Sequence, residues 1–167
     1  PTIDNVNISS SDYLNRTNGT LHGLIGFTDF DGDTATNDTR WYKNGIENTS
    51  LRNLTSISSP NTTKGEKWNF SIKIFEGDYT SNFVNASIII PNAVPEINIT
   101  INGTITDNVT VNEIEQVNIT TNATDIDNED LIFTINDSTR FKLMDGVYFI
   151  WNTNLADSGT YDVNITV

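Results

Sequence analysis

Two short acidic runs hold the residues of this chain best suited to chemistry. Asp29, Asp31 and Asp33 alternate in DFDGD, and Gly32 frees the backbone to curl around them. The second run, DIDNED, offers Asp125, Asp127, Glu129 and Asp130. Alternating carboxylates on a tight loop, helped by backbone oxygens, suit a hard cation that takes 6–8 oxygen ligands, such as calcium. The first run is not an EF-hand, because its twelfth position is Arg40 where that loop needs glutamate. The competing reading is a solvated turn, since Asp and Gly favour turns for their own reasons.

Catalytic groups are scarce. His22 is the sole histidine, in a strand-like stretch between Leu21 and Gly23, and it reads as structural. Without cysteine and with one histidine, zinc has no ligand set. No glycine-rich loop runs from a strand into a helix to cradle phosphate. Paired carboxylates fall on predicted turns and not in a sugar cleft, which argues against a glycosidase. The expectation is a protein that is not an enzyme.

A net charge of -13 repels nucleic acid and anionic membrane alike, and favours divalent cations. No apolar run approaches the roughly 20 residues of a membrane-spanning helix. No signal peptide lies within the sequence; an exported protein would have lost it or carry it elsewhere. With no disulfides, the fold must be held by its sheets, and by ions where they bind.

Asparagine carries a second pattern. There are 16 Asn-x-Ser/Thr triplets, at Asn7, Asn15, Asn18, Asn37, Asn48, Asn53, Asn61, Asn69, Asn85, Asn98, Asn102, Asn108, Asn118, Asn122, Asn136 and Asn164. Composition alone accounts for roughly five such acceptors. Where they fall in strands, period-two geometry puts Asn and the Thr at +2 on one outward face, as in Asn98–Thr100 and Asn118–Thr120. N-linked glycans on many of them are expected.

The elements that position these residues are strands. Helical periodicity is absent, and turn clusters recur every 8–12 residues, the pattern of an all-β sandwich. Strands are predicted at 2–8, 20–28, 39–43, 53–58, 67–75 and 82–90. A second set is predicted at 96–101, 109–111, 115–121, 131–135, 140–143, 147–151 and 161–167. Pro91 and Pro95 interrupt the run from Ile88 to Ile101, and proline cannot sit inside a paired central strand. That break predicts a domain at 1–91, a linker at 92–96 and a second domain at 97–167. PTIDNVNI at the start resembles PEINITI after the break, which suggests a tandem array.

The second half resembles an immunoglobulin-like domain of the cadherin-like kind found in prokaryotic surface proteins. The resemblance is carried by VNEIEQVNITTNATDIDNEDLIFTI and DSGTYDVNITV, where Asp157, Gly159 and Tyr161 resemble the D-x-G-x-Y corner of strand F. The first half resembles another immunoglobulin-like repeat of archaeal and bacterial surface proteins through TDFDGD, RWYKNG and KGEKW. Trp41 there resembles the buried strand-C tryptophan, and Trp68 takes the place of the corner tyrosine. The resemblance implies two consecutive immunoglobulin-like sandwiches in a rod-like arrangement, the second without its last strand. It also implies that the B–C and F–G loops share one end, which would bring Glu76 and Asp78 to the first acidic run and Glu96 to the second. Cadherin-like families bind calcium with such Pro-Glu and D-x-D arrangements.

The implied function is a non-catalytic module of an extracellular, N-glycosylated cell-surface assembly, archaeal in character: a surface layer, adhesin stalk or filament. Calcium would rigidify it. Neighbouring copies or adjacent repeats would be its partners, and a donated strand could fill the open groove of the second domain. The other reading is a carbohydrate- or cell-binding adhesion module, which exposed aromatics clustered on one face would favour.

Overall fold

Alternating apolar and polar residues build strands along the whole chain. The computed structural model describes all residues, Pro1–Val167, and the fold is all-β with two short 3₁₀ turns, Thr49–Leu51 and Ser59–Asn61. It forms two compact units, Pro1–Ala93 and Val94–Val167, with Pro91 and Pro95 on either side of the division.

Unit 1 contains β1 (Thr2–Ser10), β2 (Leu21–Thr28), β3 (Thr36–Lys43), β4 (Ile46–Glu47), β5 (Ser56–Ile57), β6 (Lys67–Glu76), β7 (Tyr79–Thr80) and β8 (Val84–Ile89). One sheet runs β1-β2-β5. The other runs β4-β3-β6, with β7 and β8 both pairing along β6. The inward rows of the two sheets make one core, an arrangement consistent with a β-sandwich. Ile8, Leu21 and Ile57 come from the first sheet and Trp41, Trp68, Phe70, Ile72 and Ile74 from the second. Trp41 is fully buried, packs against Phe70 at 4.7 Å, and donates its indole N–H to the Leu54 carbonyl at 3.0 Å. Gly23 is required opposite Phe70, because a Cβ there would lie 2.6 Å from the ring. Trp68 donates to Glu66 Oε2 at 2.9 Å; Glu66 also takes Lys43 Nζ at 2.5 Å and the Thr63 N–H at 3.0 Å. A buried carboxylate is thus fully partnered at the sheet end, as burial demands.

Unit 2 contains β9 (Glu96–Ile101), β10 (Gln116–Thr124), β11 (Thr134–Ile135), β12 (Lys142–Met144), β13 (Tyr148–Asn152) and β14 (Ile165–Thr166). One sheet runs β12-β13-β10-β9, and the other holds only β11 and β14. Val117, Ile119, Phe149 and Trp151 from the larger sheet meet Phe133 and Phe141, with Tyr161, Val163 and Ile165 packed against them. Tyr161 Oη donates to the Asp157 carbonyl at 3.2 Å, closing the corner that the sequence marks.

The predicted strand at 109–111 does not form. Asn102 and Gly103, with φ of 49° and 80°, turn the chain sharply after β9, and Val111 reaches the core from a loop. The predicted strand at 161–167 shrinks to β14. Val163 and Ile165 lie half-buried on the core, whereas Val167 is exposed.

Three arginine pairs pin loops and strand ends. Arg16 holds Asp12 at 2.9 Å, Arg40 holds Asp38 at 2.5 Å and Arg140 holds Asp137 at 2.7 Å. Hydrogen bonds from Arg16 and Arg40 keep Asp12 and Asp38 below the ordinary carboxylate range; Thr139 and then Arg140 do so for Asp137. A folded-state pKa below the unfolded value contributes stability above the unfolded pKa, and that stability is lost as pH falls through the folded value. The melting temperature should therefore fall steeply below about pH 4. A melting temperature that holds level or climbs from pH 4 to pH 2 contradicts this role.

Candidate metal centre

The inward row of β6 reads Trp68, Phe70, Ile72, Ile74, Glu76. Period two carries a carboxylate into the last inward position, and Glu76 is only 6 % exposed. The loop that follows β2 begins at Asp29 and passes the same end of the unit. Asp29, Asp31 and Glu76 there each present an oxygen, all within 4.8 Å of one another. Opposed ligands at calcium distances of about 2.4 Å stand about 4.8 Å apart, so the spacing fits one ion. Gly32, at φ 73°, bends the loop before Asp33.

Two of these oxygens, Asp29 Oδ1 and Glu76 Oε1, are buried without a hydrogen-bond partner. Such atoms are costly unless something positive or protic meets them. The amino nitrogen of Pro1 lies 3.0 Å from the other Glu76 oxygen. Hydrogen bonding with Asp31, more than any other influence, holds Asp29 below its ordinary value. Glu76 is pushed above its own: the Pro1 bond opposes the shift, but burial and the negative charges of Asp29 and Asp31 prevail. Crowding of three carboxylates thus favours the protonated form of Glu76, a bias that a bound cation would oppose. By linkage, a raised folded pKa on Glu76 contributes stability at low pH that is lost as pH rises through it, so the metal-free site is a strained one near neutrality.

A second group forms where β10 ends. Asp125, Asp127 and Glu129 bring their oxygens within 4.8 Å of one another. The Asp127 N–H donates to Asp125 Oδ1 at 2.6 Å, while Asp125 Oδ2 is buried without a partner. This group is shallower, because Asp125 and Asp127 are half-buried and Glu129 exposed. Both groups could hold a metal ion through oxygen donors alone, a set that suits calcium or magnesium far better than zinc.

Of the expected ligands, Asp29, Asp31, Glu76, Asp125 and Asp127 are brought together, and Glu129 joins them. Asp33, Asp78, Glu96 and Asp130 fall outside both groups and are exposed. Glu96 pairs with Thr124 in the ladder just before the second acidic loop, but contributes no oxygen to the cluster. His22 is exposed on β2, between Ser9 and Ser56 in the ladder.

The asparagines of the triplets lie at the surface. Asn15, Asn48, Asn69 and Asn118 are half-buried and the other acceptors exposed. Asn98 pairs with Asn122 and Thr100 with Thr120 across β9 and β10, on the outward face the alternation assigns them. Some are already engaged: Asn102 Oδ1 accepts the Asn118 N–H at 2.8 Å, and Asn136 Oδ1 accepts the Asn164 N–H at 2.9 Å. The +2 hydroxyls of Asn37 and Asn69, on Thr39 and Ser71, are buried, whereas those of Asn85, Asn108 and Asn122 are exposed.

No protein-family model matches this chain, and no characterised protein sequence matches it.

Proposed function

We propose that this chain is a non-catalytic, calcium-binding, N-glycosylated module of an extracellular cell-surface assembly, built from two immunoglobulin-like β-sandwiches. The observation that carries the reading is the Asp29–Asp31–Glu76 group, with its two buried and unpartnered oxygens at ion-binding spacing. Strand order supports the fold. In unit 1, β1-β2-β5 against β4-β3-β6-β8 corresponds to A-B-E against C′-C-F-G; in unit 2, β12-β13-β10-β9 against β11-β14 corresponds to D-E-B-A against C-F. β14 pairs only with β11, and an open edge of that kind accepts a further strand, such as one from a neighbouring copy.

Calcium fits such a module because it neutralises a strongly acidic chain and ties a loop to a strand end without cysteine. The triplet excess and the surface placement of the acceptors support glycosylation and, with it, a cell-surface location. Native mass spectrometry of protein from its natural source tests the whole reading. Subunit mass should exceed that of its own polypeptide by many sugar units, and multiples of that subunit should be present. A monomer at the polypeptide mass contradicts both the glycan and the assembly.

A further inference from the structure

The outward face of β3, β6 and β8 carries a groove of about 490 Å³, lined by Tyr42, Asn69, Ser71, Phe83 and Asn85 with Lys67 at its margin. Its floor is set by register: Tyr42 lies opposite Asn69, and Ser71 lies between Arg40 and Asn85. Phe83 and Asn85 are two residues apart and so share this face. The Arg40 guanidinium carbon sits 4.6 Å from the centre of the Phe83 ring, and Lys73 Nζ sits 5.7 Å from it, which steadies the ring while leaving 38 % of the residue exposed.

Two glycosylation triplets converge here, and the structure distinguishes them. Ser71 Oγ donates to Asn85 Oδ1 at 2.5 Å, which fixes the amide and leaves its nitrogen, the atom that would carry a sugar, without a hydrogen bond. Asn85 and its +2 residue Ser87 are both exposed. Asn69 is half-buried, and its +2 hydroxyl is the buried Ser71 already given to Asn85.

We propose that the groove seats the first sugars of a glycan linked to Asn85, with the apolar C–H face of the saccharide on Phe83 and Tyr42 and its hydroxyls on the Asn69 amide and Lys67. Asn69 itself stays unmodified. The proposal rests on the reading of the chain as an N-glycoprotein. An aromatic ring offers a sugar a large apolar body at little entropic cost, and two rings bordering amides and a cation match the alternating faces of a hexose. The linkage adds the groove to the fold, because a tethered ligand needs only weak contacts to stay seated.

The test expresses the full chain in a host that N-glycosylates Asn-x-Ser/Thr, maps occupancy by glycopeptide mass spectrometry, and compares melting temperatures. Asn85 should be occupied and Asn69 bare. Ser87→Ala, which removes the triplet but keeps the Ser71–Asn85 hydrogen bond, should lower the melting temperature by about 4 °C, and this drop should vanish in a Phe83→Leu or Phe83→Ala background. Asn108→Gln, on an exposed loop, should change nothing in either. Asn85 bare while other triplets carry sugar overturns the proposal and leaves the glycoprotein reading standing. A Ser87→Ala drop that persists without Phe83 also overturns it. Sugar on no triplet at all overturns the glycoprotein reading and this proposal together.

Discussion

Calcium added to metal-stripped protein should raise the melting temperature of unit 1 by about 10 °C or more. A ligand that binds only the folded state stabilises by about 2.7 kcal/mol at a hundredfold excess over its Kd, and each kcal/mol moves a domain of this size by roughly 4–8 °C. The gain comes from three sources on one site. Bound calcium would meet the buried Asp29 Oδ1 and Glu76 Oε1, remove the mutual repulsion of three carboxylates, and anchor the loop after β2 to the end of β6. Glu76→Gln keeps the side-chain shape and relieves the repulsion, so it should leave the metal-free unit intact and abolish most of the calcium increment. Asp33→Asn and Asp78→Asn lie outside the group and should preserve it. Differential scanning calorimetry with and without EDTA reads all of these. A calcium increment equal in wild type and Glu76→Gln contradicts the assignment.

Trp41→Ala should cost unit 1 about 3–5 kcal/mol, the usual range for deleting a buried tryptophan. Against a typical total of 5–15 kcal/mol, that is enough to bring the unit near the unfolding threshold. The side chain is fully buried, touches both Trp68 and Phe70, and its indole N–H holds the Leu54 carbonyl, which Thr39 Oγ1 also approaches at 3.1 Å. Removal leaves a cavity between the two sheets and strips one donor from that carbonyl. Trp41→Phe should cost clearly less, because it refills most of the volume and loses only the hydrogen bond. Urea unfolding followed by far-UV circular dichroism measures both. A loss below about 1 kcal/mol for Trp41→Ala would mean that the tryptophan is not the keystone of this core.

Period-two patterning made most of the long strands legible. The inward residues Trp68, Phe70, Ile72 and Ile74 alternate with Lys67, Asn69, Ser71 and Lys73, so β6 could be read directly. The two-residue strands β4 and β7 could not, because two residues carry no period, and the predicted strands at 53–58, 131–135 and 161–167 are too long, holding only the two-residue β5, β11 and β14. Asn102-Gly103 is as plain a tight-turn signal as Asn44-Gly45, yet the apolar Val109 and Val111 that follow mimic a strand. What decides there is the loop: Val111 packs on the core without pairing.

The candidate site was half legible. DFDGD and DIDNED announce themselves by composition, but composition cannot say which carboxylates converge. The bend at Gly32 separates Asp33 from Asp29 and Asp31, and the sheet pairing brings in Glu76 from a distant strand. The immunoglobulin-like resemblance already brings that last residue to the first run, and the sequence holds a second signal for it: a lone acid at the end of an otherwise apolar inward row. Glu66 shows the same signature from the other end of β6 and resolves differently, because Lys43, Thr63 and Trp68 already satisfy it.

The most direct measurement is isothermal titration of calcium chloride into the EDTA-stripped two-unit chain, wild type beside Glu76→Gln and Asp29→Asn. Saturable binding should occur in the range of about 10⁻⁴–10⁻³ M or tighter, as for extracellular calcium modules, with proton release that grows as the pH is lowered toward the raised pKa of Glu76. Each substitution should remove one binding event and leave the Asp125–Asp127–Glu129 event in place. Absence of saturable binding up to about 10 mM calcium, or binding unchanged by both substitutions, would contradict the account.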